Sequence, residues 1–234
     1  MVNSKRPHDR NVDERNRPAS GELTEEMART GEGGTASESR GALDVVAVAA
    51  SAGGLKALTE VLSSLPADFP AAVVIVQHLY PRHRSLMAEI LDRRSDLPVK
   101  QVEEGEVLCR GTAFIAPPDN HVLVDPDGVL SLSKSELVHF VRPSADLLFE
   151  SVAASYRERA IAVVLTGSGS DGSLGVEAVK KMGGTVIAQD EATSEFPDMP
   201  RAAVRTGAVD LVLPLNAISS ALASLVAEAP AWSK

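Results

Sequence analysis

Three runs in this chain are apolar almost without interruption: residues 45–50 (VVAVAA), 72–77 (AVVIVQ) and 161–166 (IAVVLT). None alternates with period two. A strand with one wet face must alternate, so a continuous run of Val, Ile and Ala marks a strand covered on both faces. Such strands occur in parallel sheets sandwiched between helices, which restricts the chain to very few architectures. Each run also stops abruptly at a polar or glycine-rich segment, and helical periodicity follows. The first stops at Ser51, followed by Ala52, Gly53 and Gly54.

The same alternation continues along the chain. Residues 113–116, 185–188 and 210–213 read as further strands. Residues 55–65, 85–94, 145–159, 174–182 and 217–227 read as helices. Strand then helix, repeated, predicts an α/β fold: three layers, α/β/α, around a mainly parallel, doubly wound sheet. Residues 98–133 differ. They hold the short β pieces PVKQV, TAFIAP, HVLVD and VLSLS, with Asp127-Gly128 between the last two. Asp-Gly between apolar runs signals a hairpin, expected to be antiparallel and inserted in or edging the main sheet.

Residues 1–41 stand apart. Their only Leu, Ile, Val or Phe residues are Val2, Val12 and Leu23, and seven Lys or Arg nearly balance eight Asp or Glu. A segment this poor in apolar surface cannot offset its ordering entropy, so a disordered polar tail is expected, with a short helix conceivable at 23–29. One folded domain is expected over 42–230, with no repeat and no second domain.

The net charge of the 234-residue chain is −9, and the acidic excess falls almost wholly on the folded part. Phosphate backbones demand clustered Lys and Arg, so no nucleic-acid partner is expected. The single cysteine, Cys109, excludes an internal disulfide and a cysteine-rich zinc site. Glu103-Glu104 reads as a solvated loop face, and Asp119, Asp125 and Asp127 as turn acids; no metal and no cofactor is expected. The polar N-terminus has no signal-peptide core, and the longest apolar run is too short to cross a bilayer. A cytoplasmic protein without membrane insertion is the expectation.

Sites in open parallel sheets form beyond the carboxyl ends of the strands. Ser51 follows the first strand, His78 the second, and Asp171 lies in the glycine-rich loop GSGSDG after the strand at 161–166. One rule therefore brings a serine, a histidine and an acid to one sheet edge. That is the inventory for nucleophilic acyl transfer: serine attacks, histidine takes its proton, the acid orients the imidazole, and backbone N–H groups hold the oxyanion. The turn at 52–54, with Ala52 and Gly53 foremost, offers such donors. Each residue also has a plainer role: Ser51 as a helix cap, His78 as a strand-end hydrogen-bonding group, Asp171 as the cap of the helix beginning near Ser173. His83, His121 and His139 are further histidines of the region after the second strand. The G-x-S-x-G elbow is absent, and the order Ser, His, Asp is not that of α/β-hydrolases. A phosphate-cradle reading of Ser51–Gly54 lacks both the G-x-G-x-x-G spacing and a Walker lysine.

Five motifs occur in order: VAVAASAGGLKAL, VVIVQHL, RPSADLLFESVA, VVLTGSGSDGSLGVEAVKKMGG and IAQDEATSEFPDMPRAAVRTGAVDLVLPL. Together they resemble the catalytic domain of the CheB family of protein-glutamate methylesterases of chemotaxis, over roughly residues 43–227. The resemblance implies hydrolysis of glutamate γ-methyl esters with release of methanol, and in many members deamidation of glutamine. It implies Ser51, His78 and Asp171 as the triad. It also implies a methylated chemoreceptor or similar helical signalling protein as partner, with a methyltransferase or kinase in the same pathway. Family members usually begin with a receiver domain, where this sequence has only its polar tail. Ala52, Ser168 and Asp198 stand where Thr, Met and Gly are common. The alternative expectation is a non-catalytic signalling module of the same fold.

Overall fold

The computed structural model describes residues 44–79 and 85–227. The tail, the helix considered at 23–29 and His83 lie outside the described residues. The order of elements is β1 (Asp44–Ala50), α1 (Gly54–Ser63), β2 (Ala71–Gln77), α2 (Met87–Asp92), β3 (Val99–Gln101), β4 (Glu106–Val107), β5 (Thr112–Ile115), β6 (His121–Val124) and β7 (Val129–Ser133). Then come α3 (Ala145–Tyr156), a 3-10 turn (Arg157–Arg159), β8 (Ala160–Val164), α4 (Ser173–Lys181), β9 (Thr185–Gln189), α5 (Asp198–Arg205), β10 (Leu211–Leu213) and α6 (Leu215–Ala227).

Seven strands form one sheet in the order β10-β9-β8-β1-β2-β5-β3. Every pairing in it is parallel. β1 lies between β2 and β8, where the winding changes direction. All seven residues of β1 and of β2 are buried. Successive side chains still point to opposite faces. Val45, Ala47 and Ala49 join Leu148, Phe149 and Val152 of α3 and Val176 and Val179 of α4 in one core. Val46, Val48 and Ala50 join Leu58, Val61 and Leu62 of α1 and Ile218 and Leu222 of α6 in the other. Two cores divided by one sheet make the three layers, and explain why the runs read as uniformly apolar.

The expected hairpin is present, but not in the main sheet. β6 and β7 pair antiparallel, and β4 joins β7, giving a separate three-stranded sheet. Gly128, at φ 82°, closes the turn with its N–H on the Asp125 carbonyl at 2.9 Å. The hairpin leaves the main sheet because Val122, Val124 and Leu130 are apolar anchors of the α3-side core. They pack face-on there, while β3 takes the edge position beside β5. Helix α5 was not expected. Its start, Asp198-Met199-Pro200, looks like a breaker. Pro is tolerated within the first turn, where N–H groups have no intrahelical partner.

Candidate active site

The parallel register places Ala50 opposite Gln77. The next residue on each strand is Ser51 and His78, so the two leave the sheet side by side. The His78 N–H still bonds the Ala50 carbonyl at 3.1 Å, and the Ser51 N–H bonds Thr166, beyond β8, at 3.0 Å. Ser51 is held between both neighbouring strand ends.

Ser51 opens a tight turn. Its carbonyl accepts the Gly54 N–H at 2.9 Å, and Gly53 sits at φ 75°, ψ −4°. That left-handed third position is the one that calls for glycine in a type II turn. Gly53, not Ser51, is the N-cap residue of α1, so the capping role for Ser51 does not apply. The Gly54 N–H is consumed inside the turn, which leaves the N–H groups of Ala52 and Gly53 as the candidate oxyanion donors. Thr166 braces this turn from the β8 side: its hydroxyl donates to the Ala52 carbonyl at 3.1 Å and accepts the Phe196 N–H at 2.8 Å. Gly167 follows, and a Cβ there would lie 2.9 Å from the Ser51 Cβ and 2.2 Å from Met199 Sδ. Backbone and nucleophile meet without room for a methyl group.

His78 faces Asp171 through Nε2, at 2.8 Å from Oδ2. A carboxylate only accepts, so Nε2 carries the proton and Nδ1 keeps its lone pair. Asp171 is 4% exposed. The capping role expected for it exists, but at another helix. Its Oδ2 accepts the Ala145 N–H at 2.6 Å, and its Oδ1 accepts the Ser144 hydroxyl at 2.8 Å and the Asp146 N–H at 3.3 Å. These are the opening residues of α3, not α4, so the carboxylate sits in the positive end of the α3 dipole. Asp146 returns the arrangement: its Oδ1 accepts the Gly175 N–H of α4 at 2.8 Å. Burial alone would push the Asp171 carboxyl up. The bonds from His78, Ala145 and Ser144 outweigh it and hold the group below the ordinary carboxylate value. Asp146 goes the other way, raised by burial and by the charge of Asp171 beside it.

Behind Asp171 stands His121, fully buried. Its Nδ1 accepts the Ser144 N–H at 3.1 Å and its Nε2 meets the Glu136 carbonyl at 3.1 Å. One neutral tautomer, with the proton on Nε2, satisfies both. Burial pushes its pKa below the usual value, in keeping with that neutral form. His139 is half exposed and lies 3.7 Å from Asp146 Oδ2. Asp119 is tied up by Arg142 at 2.6 Å. Among the described residues no group of three His, Cys, Asp or Glu is arranged to hold a metal.

Sequence reasoning found the three strand-end residues and missed their supports. Ser144 carried a signal, a serine immediately before a helix start. His121 and Gln77 carried none beyond their neighbourhood. A cavity of about 610 Å³ opens beside Ser51, lined by Leu55, Lys56, Thr59, Met87 and Arg94 among others. That is ample for a side chain projecting from another protein.

A wholly parallel α/β sheet, with a serine on its central strand end and a histidine–carboxylate pair beside it, has the layout of a serine hydrolase. The chain belongs to the CheB methylesterase family, whose model matches residues 46–222. A protein-glutamate methylesterase/protein-glutamine glutaminase of Moorella thermoacetica is 43% identical over 191 residues, covering 80% of this chain and 45% of the relative. One from Burkholderia orbicola is 44% identical over 188 residues, covering 80% and 56%. The chain therefore spans about half the length of these curated relatives. The crystal structure of the Thermotoga maritima CheB methylesterase catalytic domain superposes with a TM-score of 0.76 at 38% identity, covering 78% of this chain and 98% of that one. Among the described residues no helix is long and apolar enough to cross a membrane.

Proposed function

We propose that this chain is a serine esterase that hydrolyses glutamate γ-methyl esters on a signalling protein. The observation that carries the reading is the bond between His78 Nε2 and Asp171 Oδ2 at 2.8 Å, beside the strand end that bears Ser51. It supports an imidazole whose basic nitrogen is Nδ1, the one that takes the serine proton. Ser51 Oγ attacks the ester carbonyl as His78 takes its proton. The oxyanion is held by the N–H groups of Ala52 and Gly53. Collapse breaks the C–O bond, and His78 returns the proton to the leaving oxygen as methanol departs. Water, deprotonated by the same nitrogen, then cleaves the Ser51 acyl ester to give a glutamate carboxylate. Asp171 holds the tautomer and stabilises the imidazolium in both halves.

A glutamine side chain entering the same site would give the same acyl-enzyme with ammonia as leaving group, so deamidation belongs to the proposal. Both activities stand in the names of the relatives. The partner is a methylated chemoreceptor or a similar helical signalling protein, met in the cytoplasm, with a methyltransferase of the same pathway making the ester. The cavity beside Ser51 supports entry of a side chain from a large substrate.

The test is methanol release from a methylated receptor cytoplasmic fragment, wild type beside Ser51→Ala. The variant is expected to lose turnover by about 10⁴-fold or more while melting normally. A Ser51→Ala protein that releases methanol at the wild-type rate would remove Ser51 from the mechanism. Fluorophosphonate labelling of Ser51 in the wild type is the companion measurement.

A further inference from the structure

Gln77 is the last residue of β2 and is 4% exposed. Its side-chain nitrogen has two hydrogens, and both are used. Nε2 donates to the Ser51 carbonyl at 2.8 Å and to the His78 carbonyl at 3.0 Å. One buried amide thus bridges the main chains of the candidate nucleophile and the candidate base. The bridge also acts through the peptide plane. In a trans peptide the N–H points opposite to the preceding C=O. The Ser51 carbonyl is pinned twice, by Gln77 and by the Gly54 N–H, so the Ala52 N–H of the same peptide is aimed the other way, out of the turn.

The remaining atom of the amide shows that its placement is specific. Gln77 Oε1 is buried without a hydrogen-bond partner. It packs on Gly54, where a Cβ would fall only 1.9 Å from it. Reversing the amide would turn an acceptor toward two carbonyls, which forbids the other orientation. A buried acceptor is left unsatisfied, which is costly, so that both donors reach these two carbonyls.

We infer that Gln77 is a positioning residue: it sets the spacing of Ser51 and His78 and aims the Ala52 N–H at the developing oxyanion. It touches no reacting atom. The inference rests on the esterase reading above. Preorganised donors act mainly in the transition state, so losing their aim lowers kcat and leaves ground-state binding alone.

The experiment compares wild type, Gln77→Met and Gln77→Glu, two replacements of similar length without the paired donors. Methanol release gives kcat and KM per active site, and the rate of fluorophosphonate labelling of Ser51 is measured in parallel. Both variants are expected to lose about 10- to 100-fold in kcat and in labelling rate, with KM within about twofold. Wild-type kcat and labelling in either folded variant would overturn the inference. Side-chain amide exchange by NMR in the wild type needs no variant: both Gln77 protons are expected to be protected, and rapid exchange of both would overturn it equally. A wild type that neither releases methanol nor is labelled would instead remove the esterase reading.

Discussion

Replacing Asp171 with Asn keeps the shape of the side chain and turns one acceptor oxygen into a donor. The amide has two ways to sit. With nitrogen in place of Oδ2, it opposes the Ala145 N–H, now bonded at 2.6 Å, and makes His78 accept at Nε2. The imidazole proton must then move to Nδ1, where Ser51 needs a lone pair. With nitrogen in place of Oδ1, the Ser144 hydroxyl rotates to accept, and only the 3.3 Å bond from the Asp146 N–H is lost. Stranding a well-bonded buried N–H costs about 1–3 kcal/mol, and losing a long bond costs less. The second orientation is favoured by about 1–2 kcal/mol, a factor of about 5–30. His78 therefore keeps its tautomer in the variant. What is lost is the negative charge beside the imidazolium that forms during reaction. At about 4 Å and an effective dielectric of about 20 that charge is worth about 4 kcal/mol, or about 10³-fold in kcat. The assay is kcat for methanol release, with the ring protonation of His78 read from ¹⁵N chemical shifts. An Asp171→Asn protein with its proton on Nδ1, or with kcat within tenfold of wild type, would refute the reasoning.

Asp171 and Asp146 also make opposite contributions to pH stability. The folded-state pKa of Asp171 is lowered, so its stabilisation is complete above the ordinary carboxylate range and is lost as pH falls through the lowered value. Asp146 is raised, so it destabilises the fold once pH climbs through its raised value, and Oδ2 accepts no hydrogen bond, with only the half-exposed His139 near it at 3.7 Å. Asp146→Asn keeps an acceptor for Gly175 and removes that charge; it should stabilise the protein by about 1 kcal/mol at pH 7, roughly 2–4 °C in melting temperature, with the gain vanishing in acid. Thermal melts across pH check both signs. Gly167→Ala forces a methyl group between Met199 Sδ and the Ser51 Cβ; overpacking of this kind costs about 1–3 kcal/mol and should displace Ser51, lowering melting temperature and kcat together.

The strand-end residues were legible because burial on both faces writes itself into sequence as unbroken apolar runs. The polar residues and loops that follow each run mark the sheet edge. Ser51, His78 and Asp171 all surfaced by that rule. The supports did not, because they are set by long-range packing. Ser144 and Asp171 are 27 residues apart, and His121 and Ser144 are 23 apart. Nothing in local periodicity joins them. Gln77 looked like the end of a strand and gave no sign that its amide turns toward Ser51. The antiparallel hairpin was legible from Asp127-Gly128, but its separation from the main sheet was not, since β4 is only two residues long and its place depends on what covers α3. Helix α5 was masked by Pro200, which reads as a break unless its place in the first turn is known.

The exchange of carboxylates between α3 and α4 has a consequence for how the chain comes together during synthesis. Neither helix takes a side-chain cap from its own N-cap residue, Ser144 or Gly172. The Ala145 and Asp146 N–H groups at the start of α3 bond residue 171, which is made later, and the Gly175 N–H of α4 bonds Asp146. Both ends are completed in one docking event, which is also the event that delivers the acid to His78. An early, half-wound sheet can hold Ser51 and His78 side by side and still have no oriented base. On the esterase reading proposed above, an oriented base exists only where α3 and α4 have docked.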